Sequence, residues 1–144
     1  MIYIISQIIG LLAFIISLMA YHQKTKTKIF TNMIISNFLN IIHYLMLGTF
    51  SGCITKVLAI IRDSFIIFKD KNEKLNNNIF IFIFILIYFV SAILTYNGIL
   101  SLFPILAAII YLFSTWNGNE LQVKTTAFFC YFLWFTYNIC EKND

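Results

Sequence analysis

The stretch IYIISQIIGLLAFIISLMAY, residues 2–21, decides the fold class of this chain. It contains no charged residue, and its polar side chains are isolated among aliphatic and aromatic ones. An α-helix needs about 20 such residues to cross the hydrocarbon core of a bilayer. The stretch therefore predicts a transmembrane helix, which the polar residues QKTKTK at 23–28 bring to an end.

The rest of the chain has the same character. Of its 144 residues, 60% are hydrophobic and only 11% are charged, whereas a soluble domain has about a quarter charged residues. So few charges cannot cover so much apolar surface, and lipid has to be the main solvent. A chain in lipid must satisfy its backbone hydrogen bonds internally, which leaves helices or a closed barrel. Because the apolar runs are continuous rather than alternating, they predict an all-α polytopic membrane protein.

About six segments are apolar enough to cross the membrane. The predicted transmembrane helices are residues 2–21, 29–47, 53–68, 79–96, 99–116 and 123–140. The third helix is unusual because it contains Lys56, Arg62 and Asp63.

The lysines between the helices predict the orientation. Six crossings place the first, third and fifth connections on one side of the membrane. The lysines at those connections are Lys24, Lys26, Lys28, Lys69, Lys71, Lys74 and Lys124. The positive-inside rule puts this side in the cytoplasm, so both termini are expected outside. The net charge of +4 is thereby attributed to topology and a lipid bilayer, with no nucleic-acid partner expected.

An internal repeat is visible in the sequence. A shift of 94 residues aligns the first two helices on the last two without a gap, with Ala13 on Ala107 and Pro104 on Gly10. Gly10 and Pro104 are hinge candidates, because both residue types permit a bend. A shift of four helices gives the two units the same orientation, which is a parallel repeat. The predicted plan is 3+1+2, with a three-helix bundle at 1–68, a cytoplasmic loop and linker helix at 69–98, and a partial second bundle at 99–144. We expect the third helix of the second bundle to be missing, and a homodimer would complete that bundle.

Two segments carry a family resemblance. HYLMLGTF at 43–50, followed by LAIIR at 58–62, resembles the YgjV-like family of bacterial inner-membrane proteins. That family is in turn distantly similar to the SWEET, SemiSWEET and PQ-loop transporters, whose unit is a three-helix bundle. The resemblance implies an inner-membrane location and SWEET-like bundles. It implies no sugar specificity, because the Pro-Gln pair is absent and the pocket asparagine of sugar carriers has no counterpart near Ala59 and Ile60.

Ionisable residues inside a membrane usually face the interior of a helix bundle and mark functional sites. Arg62 and Asp63 are therefore solute-binding candidates. Neighbouring residues of a helix point about 100° apart, so the two need not bond each other. The structural alternative is that Arg62 extends toward the cytoplasmic edge while Asp63 bonds a neighbouring helix.

The second predicted helix carries Asn37, Asn40 and Tyr44 on one face and His43 on an adjoining face. Polar side chains often only link membrane helices, at about 0.6 kcal/mol each, and this is the role expected for Ser36 and Asn37. Asn40, His43 and Tyr44 are candidates for solute binding. His43 is also a candidate for a proton relay or pH switch.

The repeat places Trp134 at the position of Asn40 and Asn138 at that of Tyr44. An aromatic ring opposite an amide would suit a small polar or ring-bearing solute, so Trp134 and Asn138 are further candidates. The structural alternative is an aromatic belt at the membrane surface.

The sequence lacks a glycine-rich phosphate loop, a Ser-His-Asp series and a metal-ligand cluster, so no enzyme activity, cofactor or metal is expected. The first functional hypothesis is a small-solute transporter, or a transporter-like protein, with a pocket between the two bundles. The alternative is a non-transporting membrane subunit, a sensor, or a stress or defence factor.

Overall fold

The computed structural model describes residues 1–96 and 98–142, without the side chains at positions 51, 137, 138, 141 and 142. Within these residues the chain is all-helical, as predicted. The α-helices are α1 (Ile2–Tyr21), α2 (Lys26–Leu47), α3 (Phe50–Lys71), α4 (Asn78–Leu94), α5 (Phe103–Asn117) and α6 (Glu120–Lys142). Two short 3-10 helices, Glu73–Leu75 and Ile99–Leu102, precede α4 and α5.

Among the residues that the structure describes, three helical segments are long and apolar enough to cross a membrane. They are α1, α2 and the continuous segment Ile99–Asn117, which joins the second 3-10 helix to α5. Helix α4 is equally apolar but has 17 residues. Apart from Gln7, the large side chains that α1 exposes are hydrophobic, among them Leu11 and Leu18. An exposed apolar face of this extent is typical of a surface in contact with lipid.

The side of α1 that faces α2 consists of small residues. They recur every three or four positions and so lie on one face of the helix: Ser6, Gly10, Ala13, Ser17 and Ala20. Small residues let two membrane helices approach closely. Ser36 of α2 uses this proximity to donate a hydrogen bond to the backbone carbonyl oxygen of Ala13 at 2.7 Å, which is the linking role expected for Ser36.

The ends of α2 are set by local chemistry. The Thr25 hydroxyl accepts a hydrogen bond from the Lys28 backbone N–H at 3.4 Å and caps the N-terminus. Gly48 ends the helix with a φ of 73°, a left-handed conformation that glycine adopts without a steric penalty. The turn at Gly48 allows α3 to start at Phe50 and to run back along α2.

Helices α2 and α3 are in contact near both of their ends. At one end the ring of Tyr44 lies against Gly52, where an added Cβ atom would come within 3.0 Å of it. At the other end the Lys26 ammonium lies 3.3 Å from the Asp70 carboxylate. The two helices therefore run antiparallel side by side over nearly their whole length.

The chain divides into two compact units, Met1–Glu73 and Lys74–Asp144. In the first unit α2 packs against both α1 and α3, and in the second α5 packs against both α4 and α6. The core of the second unit contains Leu112, Trp116 and Val123, which are at most 1% exposed. Helix α6 starts with a reciprocal cap, because the Asn119 and Gln122 side chains each accept a hydrogen bond from the other's backbone N–H at 3.0 Å.

Candidate functional site

Arg62 and Asp63 form an ion pair in the middle of α3. The Arg62 side chain donates from Nε at 2.9 Å and from Nη2 at 2.8 Å, both to Oδ1 of Asp63. The exposed fractions of the two side chains are 8% and 0%. Although the residues start on different sides of the helix, the long arginine side chain folds back to reach its neighbour. The pair is neutral as a unit, which lowers the cost of burying two charges.

One oxygen of this pair remains unused. Oδ2 of Asp63 is buried and accepts no hydrogen bond from any residue that the structure describes. Unsatisfied polar atoms are rare in protein interiors and costly, at about 1–3 kcal/mol or more for a charged group. Asp63 therefore keeps a strong acceptor available inside the first unit.

Lys56 lies two turns before Asp63 on the same side of α3. It is half-buried and within electrostatic range of both Arg62 and Asp63. Its ammonium forms no ion pair with any described residue. Because Arg62 and Asp63 neutralise each other, this part of α3 carries one uncompensated positive charge.

His43 joins α2 to α1. Its Nδ1 lies 2.7 Å from the backbone carbonyl oxygen of Ser6 and 2.9 Å from the Ser6 hydroxyl. A carbonyl oxygen can only accept, so Nδ1 carries a proton and donates to it. The ring also packs closely against Gly10, where an added Cβ atom would meet ring atoms at 3.0–3.3 Å.

Asn40 and Tyr44 have different environments. Tyr44 packs on Gly52 and its ring is tilted against that of His43, with centroids 5.3 Å apart. Asn40 is half-buried, and on the helical wheel of α2 it falls between the side that contacts α1 and the side that contacts α3. Its amide has no hydrogen-bond partner within the described part of the chain, so it is available to a ligand.

The two hinge candidates lie in different backbone settings. Gly10 is in the middle of the uninterrupted α1. Pro104 is in the first turn of α5, directly after the 3-10 helix, and proline is well tolerated there because its missing N–H would have no helical partner.

The remaining candidates lie in α6. Trp134 is 36% exposed, and the side chain of Asn138 lies outside the described residues. A surface pocket of about 530 Å³ in the second unit contains none of the predicted site residues. It is lined by Phe113, Ser114, Asn117, Gly118, Leu121, Gln122, Thr125 and Thr126.

The sequence did not predict two residues of the first unit that contact candidate site residues. Ser6 holds His43 and is fully buried, and Gly52 makes room for Tyr44. Ser6 and Gly10 are four residues apart, which is the small-xxx-small pattern of close helix contacts. That pattern could have identified Ser6 as a contact of α2, although not of His43 in particular.

Comparison with known proteins agrees with the helical, apolar character of the chain. The family model Imp-YgjV, described as a bacterial inner membrane protein, matches residues 4–142. The chain belongs to the YgjV family. The match spans α1 to α6, so the membrane location applies to both units of the YgjV chain. No curated protein and no solved structure matches it significantly.

Proposed function

We propose that this YgjV-family protein is a small-solute transporter of the inner membrane, with its solute-binding residues in the first unit. The observation that carries the proposal is the buried Arg62–Asp63 pair, whose Oδ2 atom has no partner among the described residues. Ionisable groups are expensive in a membrane and mark solute or ion paths. A purely structural ion pair would be expected to have all its polar atoms satisfied.

In this proposal all six α-helices cross the membrane. Helix α3 contacts the apolar α2 near both ends, which supports placing it in the same layer of lipid. At about 1.5 Å per residue, the 17 residues of α4 extend roughly 25 Å, and modest bilayer thinning accommodates a span of this length. The Lys26–Asp70 contact joins the two lysine-rich connections of the first unit, as expected if both lie in the cytoplasm.

The proposed topology predicts an external C-terminus. Alkaline phosphatase fused after residue 144 is expected to be active, and green fluorescent protein fused there is expected to be dark. Moving the lysines at positions 24, 26 and 28 to the opposite face should reverse both signals. A fluorescent C-terminal fusion on the unmodified chain would exclude the proposed topology, in which six helices cross and the lysine-rich connections are cytoplasmic.

The two hairpins α1–α2 and α5–α6 share details that support the parallel repeat. Ser36 donates to the carbonyl oxygen of Ala13, and 94 residues later Cys130 donates to that of Ala107 at 3.2 Å. The caps also correspond, since position 25 accepts from the N–H of 28 and position 119 from that of 122. Buried aliphatic residues at 29 and 123 correspond as well. In the proposed 3+1+2 plan, α4 is the linker helix.

Uptake into proteoliposomes tests the transport function. The purified chain is reconstituted and screened with radiolabelled neutral, anionic and cationic solutes. Asn40→Ala is expected to reduce uptake by about tenfold or more, the loss of one ligand hydrogen bond of about 1.5 kcal/mol. It should leave folding intact because the Asn40 amide bonds no described residue.

Asn32→Ala is the matched control, because it removes another half-buried asparagine of α2. It lies about two turns from Asn40 and should retain full uptake. Arg62→Ala is expected to lower uptake as well. If no solute class enters the vesicles above the rate of protein-free liposomes, the transport proposal is wrong.

The alternative is a non-transporting membrane subunit or sensor. The observation that favours it is the use of His43 to tie α1 to α2 through Ser6, which gives one solute-binding candidate a structural role. Under this alternative, Asn40→Ala would have no effect on any solute flux, while the native protein would copurify with a membrane partner.

A further inference from the structure

The interface between α2 and α3, here called the seam, contains two polar groups without a partner among the described residues in addition to Oδ2 of Asp63. They are the Lys56 ammonium and the Asn37 amide. The register of the seam is defined by Cys53, whose Sγ lies 3.8 Å from the carbonyl oxygen of Ile41, and by the Tyr44–Gly52 and Lys26–Asp70 contacts. In this register Lys56 lies level with residues 38–40 of α2, and Asp63 with residues 31–33.

Lys56 and Asp63 both lie on the side of α3 that faces α2. They are seven residues apart and share the side of α3 that also holds Cys53 and Asp70, which contact α2. Residues at this spacing lie along one stripe of a helix. Lys56 therefore lies on the side of α3 that faces α2, about two turns from Asp63.

From the other side, Asn37 faces the same seam. It lies on the stripe of α2 that contains Lys26, Ile41 and Tyr44, all of which contact α3. It is 4% exposed, and its amide has no hydrogen-bond partner within the described residues. Sequence patterns favoured a helix-linking role for this residue, but among the described residues it links to none.

The charges of the seam decide which ligand fits. Arg62 and Asp63 cancel, so the Lys56 ammonium leaves an excess of one positive charge. An unpaired cation within a membrane helix is unfavourable even when it is half-buried, and a bound monoanion would neutralise it. A cation at Oδ2 of Asp63 would instead be repelled by two positive side chains.

We infer that the α2–α3 seam binds a small carboxylate anion through the Lys56 ammonium and the Asn37 amide N–H. These two donors match the two oxygens of one carboxylate, and charge-assisted hydrogen bonds are the stronger kind. The inference rests on the proposed transport function, for which it names the class of solute. It is tested by binding, so that it can fail separately from transport.

The full chain in detergent is titrated with sodium acetate, sodium chloride and neutral acetamide at constant ionic strength, set with sodium sulfate, which contains no carboxylate, and its thermal unfolding is followed. Acetate should raise the unfolding midpoint more than chloride, and acetamide should have no effect. Lys56→Met, which keeps the length of the side chain, should weaken acetate binding by about 10- to 100-fold, and Lys56→Arg by less. Asn37→Ala keeps every charge and should weaken binding by about tenfold; it serves if Lys56→Met does not fold.

Three results would overturn the inference: an acetamide response equal to that of acetate, a chloride response at least as large as that of acetate, or unchanged acetate binding in both the Lys56 and Asn37 variants. Uptake of neutral solutes without acetate binding would overturn the anion class while leaving transport standing. Acetate binding without uptake of any solute would leave the site standing and remove the transport proposal.

Discussion

Replacing Asp63 with alanine is expected to destabilise the protein by about 3–5 kcal/mol, because it leaves a buried guanidinium without its carboxylate. Both hydrogen bonds from Arg62 to Oδ1 would be lost, and Arg62 is too deeply buried to be solvated. The measurement is unfolding of the full chain in mixed micelles of increasing dodecyl sulfate content, followed by circular dichroism.

Two controls make this result specific to the buried pair. Arg62→Met combined with Asp63→Leu removes both charges at similar volume and should cost about 1 kcal/mol or less. Asp70→Ala removes a carboxylate that also contacts lysines but is 33% exposed, and exposed pairs contribute only about 0–1 kcal/mol. If Asp63→Ala is no more destabilising than Asp70→Ala, the pair is not buried as described.

The same double variant separates folding from function. Compared with Asp63→Ala, the double variant should be nearly as stable as wild type. It has no charged group at positions 62 and 63 that could contact a solute. Under the proposed function it should fold and be inactive in uptake. A folded and fully active double variant would assign the pair to stability alone.

The positions of the helices could be predicted because lipid allows few solutions. Continuous apolar runs have to be helices there, and α1 ends at the residues expected from the sequence, Ile2–Tyr21. Helix α3 begins three residues earlier than predicted, at Phe50. Glycine often marks a turn, but Gly52 lies within the helix, where it accommodates the Tyr44 ring.

The start of the fifth segment differs for a local reason. Residues 99–102 form a 3-10 helix, and regular α-helix starts at Phe103. The ring of Pro104, at the second position of α5, would clash with the carbonyl group four residues earlier if α-helix continued through it, and the turn before it is a 3-10 helix. Apolar composition does not distinguish these two helix types, and the sequence predicted one continuous helix.

The candidate site could be predicted only in part. Arg62 and Asp63 stand out because charges are rare in such a chain, but their mutual bond depends on side-chain rotamers rather than on spacing. The partnership of His43 with Ser6 spans 37 residues and depends on how α1 and α2 are aligned. Helical periodicity identifies the side of α2 that His43 occupies, yet it leaves this alignment open.

Gly10→Ala is expected to destabilise the protein by about 1–3 kcal/mol, the usual cost of adding a methyl group to a packed interior. The added Cβ atom would come within 3.0 Å of the His43 ring. The ring cannot move away easily because the Ser6 carbonyl oxygen holds Nδ1 at 2.7 Å. The measurement is the same dodecyl sulfate unfolding, with wild type, each single variant and the double variant with His43→Ala compared in one cycle.

In the His43→Ala background the obstacle is absent, and Gly10→Ala should then stabilise α1 by up to about 1 kcal/mol, the helix propensity of alanine over glycine. The coupling energy between positions 10 and 43 is thus expected to exceed about 1 kcal/mol. Leu11→Ala serves as the control, because Leu11 is 59% exposed and should combine additively with His43→Ala. Additive behaviour of Gly10 and His43 would contradict their contact. A hinge in α1, rather than a close contact with His43, would then be the better explanation of Gly10.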